Sequence, residues 1–255
     1  MLKAVIFDLG GTLINITHKD EYNLPCGKKI LDYMARHDIH LPLDGEELMR
    51  RIGDQKKRCW KIRTATCREI TPFELWSEWY LKDLDFNRDK LRIIADNIAD
   101  IWEKNFYHSE LRPEAPKVLE TLSDMGILMG VISNTICYNQ AVEDLYEFGI
   151  RRFFKTIYLS SVSGFIKPHP ELFIAAARDL DLNPEECIYV GDTVSRDVLG
   201  ARKAGYKASI RIDSYLSGEL DTHKIKEEDD ADFRIKNLNE IPGIVKGFLH
   251  HAENR

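Results

Sequence analysis

From about residue 113 onward the sequence repeats one pattern, a short apolar run followed by a stretch with helical spacing. Ile127 to Ser133, Thr156 to Leu159, Cys187 to Val190 and Lys207 to Arg211 read as strands. Pro116 to Met125, Asn139 to Phe148, Pro170 to Leu180 and Asp197 to Ala204 read as the intervening helices, with Gly126, Gly149 and Gly205 as stops. Short apolar strands alternating with helices require right-handed crossovers, and hence a parallel sheet with helices on its faces. Phe233 to Ile235 reads as a last strand before a terminal helix from Ile244. Residues 3–8 add one more buried strand near the start, Ala4-Val5-Ile6-Phe7, running into Asp8.

Between that first strand and the repeating part lies a stretch of different character. Gly27 to His37, Gly45 to Arg63, Pro72 to Leu84 and Asn87 to Trp102 have helical patterns, and few runs there suggest strands. All four tryptophans, Trp60, Trp76, Trp79 and Trp102, fall in it at spacings that read as packing. The fold class follows: α/β, a doubly wound parallel-sheet Rossmann-like core, residues 1–14 and 109–255, with an inserted helical cap domain, residues 15–108. The linkers fall near Leu13 to His18 and Tyr107 to Pro113.

A chain of 255 residues with 44% hydrophobic residues can bury a sizeable core. Its net charge of -6 argues against nucleic acid as a partner, since phosphate-backbone binders carry a basic excess. No apolar run approaches membrane-spanning length, and Asp8 breaks the only apolar stretch near the N-terminus. A cytoplasmic protein without membrane contact is expected, as a monomer or homodimer. Cys26, Cys59, Cys67, Cys137 and Cys187 are odd in number and include no CxxC pair, so they are expected to be free thiols. Lys226-Glu227-Glu228-Asp229-Asp230 reads as a solvated loop.

In open parallel sheets ligands bind beyond the carboxyl ends of the strands. Asp8, Ser133 and Asp192 each stand at such an end. Four segments therefore matter together: Phe7-Asp8-Leu9-Gly10-Gly11-Thr12, Val131-Ile132-Ser133-Asn134-Thr135, Gly164-Phe165-Ile166-Lys167-Pro168-His169-Pro170 and Val190-Gly191-Asp192-Thr193-Val194-Ser195-Arg196-Asp197. Each alone reads equally as a cap or a loop.

In this order and on this scaffold the four segments resemble those of the haloacid dehalogenase superfamily, in the subgroup with a helical cap inserted after the first strand. The resemblance is specific in the core and loose in the cap. It implies that Asp8 is the nucleophile, that Ser133 binds the transferred group, that Lys167 bridges the charges, and that Asp192 and Asp197 place Mg²⁺. The chemistry is consistent with those roles. Asp8, Asp192 and Asp197 bring three negative charges, which one Mg²⁺ and Lys167 balance, so a phosphate dianion can be admitted. Mg²⁺ takes oxygen ligands, here Asp8, the Gly10 carbonyl and Asp192, with Asp197 as a direct ligand or the holder of a bound water. The donors toward phosphate are Ser133, Lys167, the turn N–H groups around Gly11, and Asn134, which reads equally as a turn residue. An intact Gly191-Asp192 with Asp197 resembles the phosphate-handling branch. The expected activity is Mg²⁺-dependent hydrolysis of a small phosphorylated metabolite.

Gly10 departs from the pattern. The superfamily's phosphatases carry there a second Asp, which protonates the leaving oxygen and activates water. Several readings stay open: a substrate with a good leaving group; a cap residue as the acid, with His18, Glu21 and Tyr22 near the first linker; a catalytically weak phosphate-ligand-binding protein; a dehalogenase-type hydrolase; or a phosphonate-cleaving hydrolase using Lys56 or Lys57 as a Schiff base. His169 reads as a positional residue of the Pro-His-Pro turn or as a base.

Overall fold

β1 is Ala4–Phe7, four unbroken apolar residues with every side chain buried. A computed structural model describes residues 1–214, 221 and 229–253. In it β1 pairs in parallel with β4 (Leu128–Ser133) and with β6 (Cys187–Gly191). β5 (Thr156–Leu159), β7 (Ala208–Ile212) and β8 (Phe233–Ile235) extend the sheet in the order β5-β4-β1-β6-β7-β8, again in parallel. Chain order reverses at β1, the place in an open parallel sheet where ligands bind beyond the carboxyl ends of the strands. The register fixes what stands there. Phe7 lies opposite Val131 on one side and Val190 on the other, so Asp8, Ser133 and Asp192 leave three neighbouring strands at one rim.

The helices of this part are α5 (Ala115–Asp124), α7 (Ser160–Ser163), α8 (Pro170–Arg178), α9 (Leu199–Lys203) and α10 (Ile241–Glu253). Ala4 and Ile6 of β1 and Cys187 and Tyr189 of β6 alternate onto one face and pack on Leu172, Phe173, Ala176 and Ala201 of α8 and α9. The larger of these side chains, Ile6, Leu172 and Phe173, each contribute about 1.5–3 kcal/mol. The exposed ion pairs, such as Lys117 with Glu120, contribute roughly 0–1 kcal/mol each, so packing holds the sheet.

The stretch after β1 forms α1 (Asn23–Arg36), α2 (Gly45–Thr66), a third helix that starts as α3 (Pro72–Glu74) and widens into a π turn (Leu75–Tyr80), and α4 (Arg88–Phe106). Cys26, Ile30 and Met34 of α1 and Leu91, Ile94, Ile98 and Trp102 of α4 recur at three- and four-residue steps and form one apolar cluster with Trp76 and Leu48. Asp44 and Asn87 accept the N–H of Glu47 and Lys90 and start α2 and α4.

Contacts divide the chain into two compact units. One comprises Met1–Asn15, Glu110–Asn134 and Leu145–Arg255, and the other Ile16–Ser109 and Thr135–Asp144. The first part of α6 (Tyr138–Glu147) thus groups with the helical unit rather than with the sheet. The reason is local bonding to α4. Cys137 and Asn139 both donate to Asp100, and Lys104 pairs with Glu143. The two expected linkers are in fact short strands, β2 (Ile14–Thr17) and β3 (His108–Leu111), paired with each other. The helix expected from Asp197 begins earlier, as a π turn over Val194–Val198 that continues into α9. Thr193 O accepts from both Asp197 and Val198, which widens that turn. All five cysteines are free. No helix among the described residues is long and apolar enough to cross a membrane. Residues 226–228 of the expected charged loop lie outside the described residues.

Candidate active site

Asp8 is delivered by β1 into a tight turn. Its N–H donates to Val190 O at 2.8 Å, and Leu9 O collects the N–H groups of Leu13 and Ile14 at 2.9 and 3.0 Å. Gly10 forms an isolated parallel bridge with Ile14 inside this turn. Gly11 has φ +87°, a conformation that L side chains rarely adopt, and its carbonyl accepts from Arg112 at 2.8 Å. Thr12 Oγ1 donates to Asp8 Oδ2 at 3.2 Å.

Lys167 lies at the centre of the cluster, 1% exposed. Its ammonium donates to Asp8 Oδ1 at 2.6 Å, to Asp197 Oδ1 at 2.7 Å and to Ile132 O at 3.1 Å, and it lies 3.0 Å from Tyr189 OH. The Tyr189 hydroxyl is within 3.2 Å of Asp197 Oδ1 and 3.3 Å of Ile132 O, so it closes the ring. Burial works against the Lys167 charge, but the carboxylates of Asp197 and Asp8 outweigh it and hold the ammonium protonated. Burial likewise pushes Asp197 up, yet Lys167 and then Arg196 bring it below its ordinary value. For Asp8 burial dominates and raises its proton affinity against the pull of Lys167. The backbone of Lys167 is itself clasped. Its N–H donates to Asn134 Oδ1 at 2.8 Å, and Asn134 Nδ2 donates back to its carbonyl at 3.3 Å.

Asp192 is the outlier. It is fully buried, and neither carboxylate oxygen has a hydrogen-bond partner. Its nearest cation is Arg196, at 3.7 Å, beyond hydrogen-bond reach. Burial first, then the charges of Asp8 and Asp197, push its carboxyl up to about 7. Asp197, by contrast, has both oxygens engaged, because Thr193 N–H and Oγ1 donate to Oδ2 at 3.0 and 2.6 Å. Carboxylate oxygens of Asp8, Asp192 and Asp197 lie within 4.8 Å of one another. Three buried acids against Lys167 and Arg196 leave one negative charge unbalanced. Two orphaned hard oxygens beside it are the donor set that Mg²⁺ prefers.

The structure therefore brings Asp8, Lys167, Asp192 and Asp197 together, with Gly11 against Asp192. Ser133 ends β4 on the same rim, 7% exposed. Both amide atoms of Asn134 are spent on Lys167. His169 caps α8, accepting from Glu171 N–H at 3.3 Å, and stacks on Phe165, so its ring has a positional job. The remaining candidates belong to the helical unit. His18 stacks on Phe106 at 3.9 Å with Tyr22 edge-on to it, and Glu21 pairs with Lys19 in solvent. Lys57 is exposed, and so is Lys56, which donates to Tyr107 OH at 3.1 Å. Sequence reasoning missed Tyr189, Thr193 and Arg196. Arg196 carried a signal, since it follows Asp192 by one helical turn. Tyr189 read as an ordinary apolar strand residue.

A profile of haloacid dehalogenase-like hydrolases matches residues 2–205. The chain belongs to that family. This hydrolase is 27% identical over 247 residues to a glyceraldehyde 3-phosphate phosphatase of Methanopyrus kandleri, covering 96% of this chain and 98% of the relative. It is 33% identical over 227 residues to the protein of the same name from Methanothermobacter thermautotrophicus, covering 85% and 88%. Among solved structures, a 2-haloacid dehalogenase of Pseudomonas syringae shares the fold at a TM-score of 0.62 and 22% identity, over 97% of this chain and all of that one.

Proposed function

We infer that this hydrolase is a Mg²⁺-dependent phosphatase of a small phosphorylated metabolite, of the size of glyceraldehyde 3-phosphate. One observation carries the reading: Lys167 bonds the Asp8 and Asp197 carboxylates at once, while Asp192 beside them is left with two unpartnered oxygens. A site for an electrophile without charge would not need so many buried ions. Full-length similarity to two phosphatases supports the same class.

In this mechanism an Asp8 oxygen forms a bond to phosphorus as the bond to the leaving oxygen breaks. The result is an aspartyl-phosphate. Water then attacks phosphorus, inorganic phosphate leaves, and the Asp8 carboxylate is restored. Lys167 holds Asp8 in its attacking rotamer and neutralises charge that builds on the phosphoryl oxygens. Ser133 Oγ donates to those oxygens, whereas the Gly11 N–H, expected from the sequence to do the same, is spent inside the turn on Ile14 O at 2.7 Å. Oxygens of Asp8 and Asp192 and the Gly10 carbonyl would hold Mg²⁺, which would supply further positive charge beside the phosphate. Asp197 keeps Lys167 in place through its direct bond. Gly10 offers no proton to the leaving group, so the leaving oxygen takes its proton from water, which favours substrates with stable leaving anions.

The experiment is a panel of phosphate esters, glyceraldehyde 3-phosphate included, with Mg²⁺ and with a chelator. The chelator should abolish turnover. Asp8→Asn should abolish it too and leave the fold intact; full activity in that variant sinks the nucleophile. Gly10 has no positive φ, so its backbone conformation is one that residues with side chains also adopt. Gly10→Asp should speed hydrolysis of esters with poor leaving groups, since general acid–base help is commonly worth about 10²–10⁴-fold. A second reading, a slow phosphate-ligand-binding protein, rests on Gly10 alone. Turnover that stays negligible on the whole panel, with phosphate bound, would favour it.

A further inference from the structure

Asp192 has no hydrogen bond to aim its carboxylate, so its direction depends on where the backbone of Gly191 to Val194 is held. The helical turn that follows should be capped by Thr193, but the Thr193 side chain is spent on Asp197 and caps nothing. The open N–H groups are taken instead by a residue from a distant part of the chain. Val194 N–H donates to Asp221 Oδ2 at 2.7 Å and Ser195 N–H to Asp221 Oδ1 at 3.0 Å. A helix start leaves such donors unsatisfied, and a carboxylate there also meets the positive end of the peptide dipoles. One side chain thus grips two successive amides of the loop that joins Asp192 to Asp197.

We propose that Asp221 is a positioning residue of the metal centre, a remote clamp that fixes the Asp192–Asp197 loop and so aims the Asp192 carboxylate. It touches neither the phosphate nor the ion. The inference rests on the proposed function only in naming Mg²⁺ as what Asp192 is aimed at. Asp221 is half-buried. Groups that orient metal ligands from outside commonly govern 10–100-fold in metal affinity or activity.

The test is the Mg²⁺ dissociation constant, read by calorimetric titration of the whole protein and of Asp221→Asn and Asp221→Ala. Amide exchange over residues 190–200 and melting temperature are measured alongside. Both variants remove the same charge, but Asn keeps one acceptor oxygen and Ala none. Clamping therefore predicts a graded result: Kd raised about threefold in Asp221→Asn and about tenfold or more in Asp221→Ala. Exchange at Val194 and Ser195 should quicken in the same order. An unchanged Kd overturns the proposal even if the melting temperature drops, because Asp221 is then a structural cap alone. Equal weakening in the two variants also overturns it, because Asp221 then acts only as a distant negative charge. If the unaltered protein takes up no Mg²⁺, the proposed function fails. The clamp is then judged by exchange alone, and unchanged protection in Asp221→Ala refutes it.

Discussion

Gly11 and Asp192 approach so closely that a β-carbon on residue 11 would lie 2.3 Å from Asp192 Oδ2. The turn after β1 and the loop after β6 are thus packed backbone against carboxylate, with no room for a methyl group. Gly11→Ala faces two penalties: the left-handed backbone, roughly 1–2 kcal/mol, and displacement of the buried Asp192 carboxylate, whose oxygens have no hydrogen bond. The variant should fold with a lowered melting temperature and lose most of its kcat. Thermal unfolding with steady-state kinetics checks this, and wild-type kcat in Gly11→Ala would contradict it.

Lys167→Met leaves two buried carboxylates, Asp8 and Asp197, without their shared cation. Breaking a buried pair by removing one partner typically costs about 3–5 kcal/mol. Denaturant unfolding should register a loss of that order, and turnover should vanish. Lys167→Arg should not restore it, since a planar guanidinium cannot occupy the compact position where three acceptors converge on one nitrogen.

Asp192→Asn should separate stability from function. The native carboxyl is pushed up to about 7, so holding it ionised above that pH costs the fold free energy. A neutral amide of the same shape avoids the cost. In chelator at pH 8 the variant should melt higher than the parent protein. Added Mg²⁺ should raise the melting temperature of the parent and leave the variant unmoved. A parent protein that Mg²⁺ does not stabilise would count against the donor set.

Glu103, on α4 in the helical unit, gives a pH dependence with a definite sign. Burial, only partly offset by Lys56 and Arg63, pushes it from the ordinary 4.5 up to about 7. Between those two values the folded chain retains a proton that the unfolded chain releases. Stability therefore falls as pH rises from about 4.5 to 7, and levels off above. Glu103→Gln removes this contribution. The melting temperature of the variant minus that of the parent should grow across the window, and a flat difference would refute the assignment.

The sheet was legible because its strands are short, apolar and bounded by glycines, and Asp8 and Asp192 because each follows the end of such a strand. Lys167 and Asp197 stand in a loop and a helical turn, where no pattern marks them, and were named only through the resemblance of their segments to a known superfamily. β2 and β3 were not legible: Ile14-Asn15-Ile16-Thr17 and His108-Ser109-Glu110-Leu111 are four residues each, and each finds its partner far away in sequence. The grouping of Thr135–Asp144 with the helical unit was equally hidden. The periodicity of α6 says it is a helix, while its allegiance comes from Asp100 and Lys104. Tyr189 and Asp221 show the same limit. Hydropathy places the first in a strand and the second in a loop, and neither pattern tells which hydroxyl or carboxylate a distant segment will need.

The middle position of β1 has a consequence for biosynthesis. Its two neighbours are residues 128–133 and 187–191, so the strand made first can be flanked on both sides only after residue 191 has been translated. Until then the nascent polypeptide holds an acid at residue 8 with its ammonium partner 159 positions downstream. Such long-range pairing is slow and leaves apolar edges open to wrong contacts. Damage to this protein's yield in cells should therefore concentrate in substitutions along the late strand Cys187–Gly191, whose arrival completes the assembly.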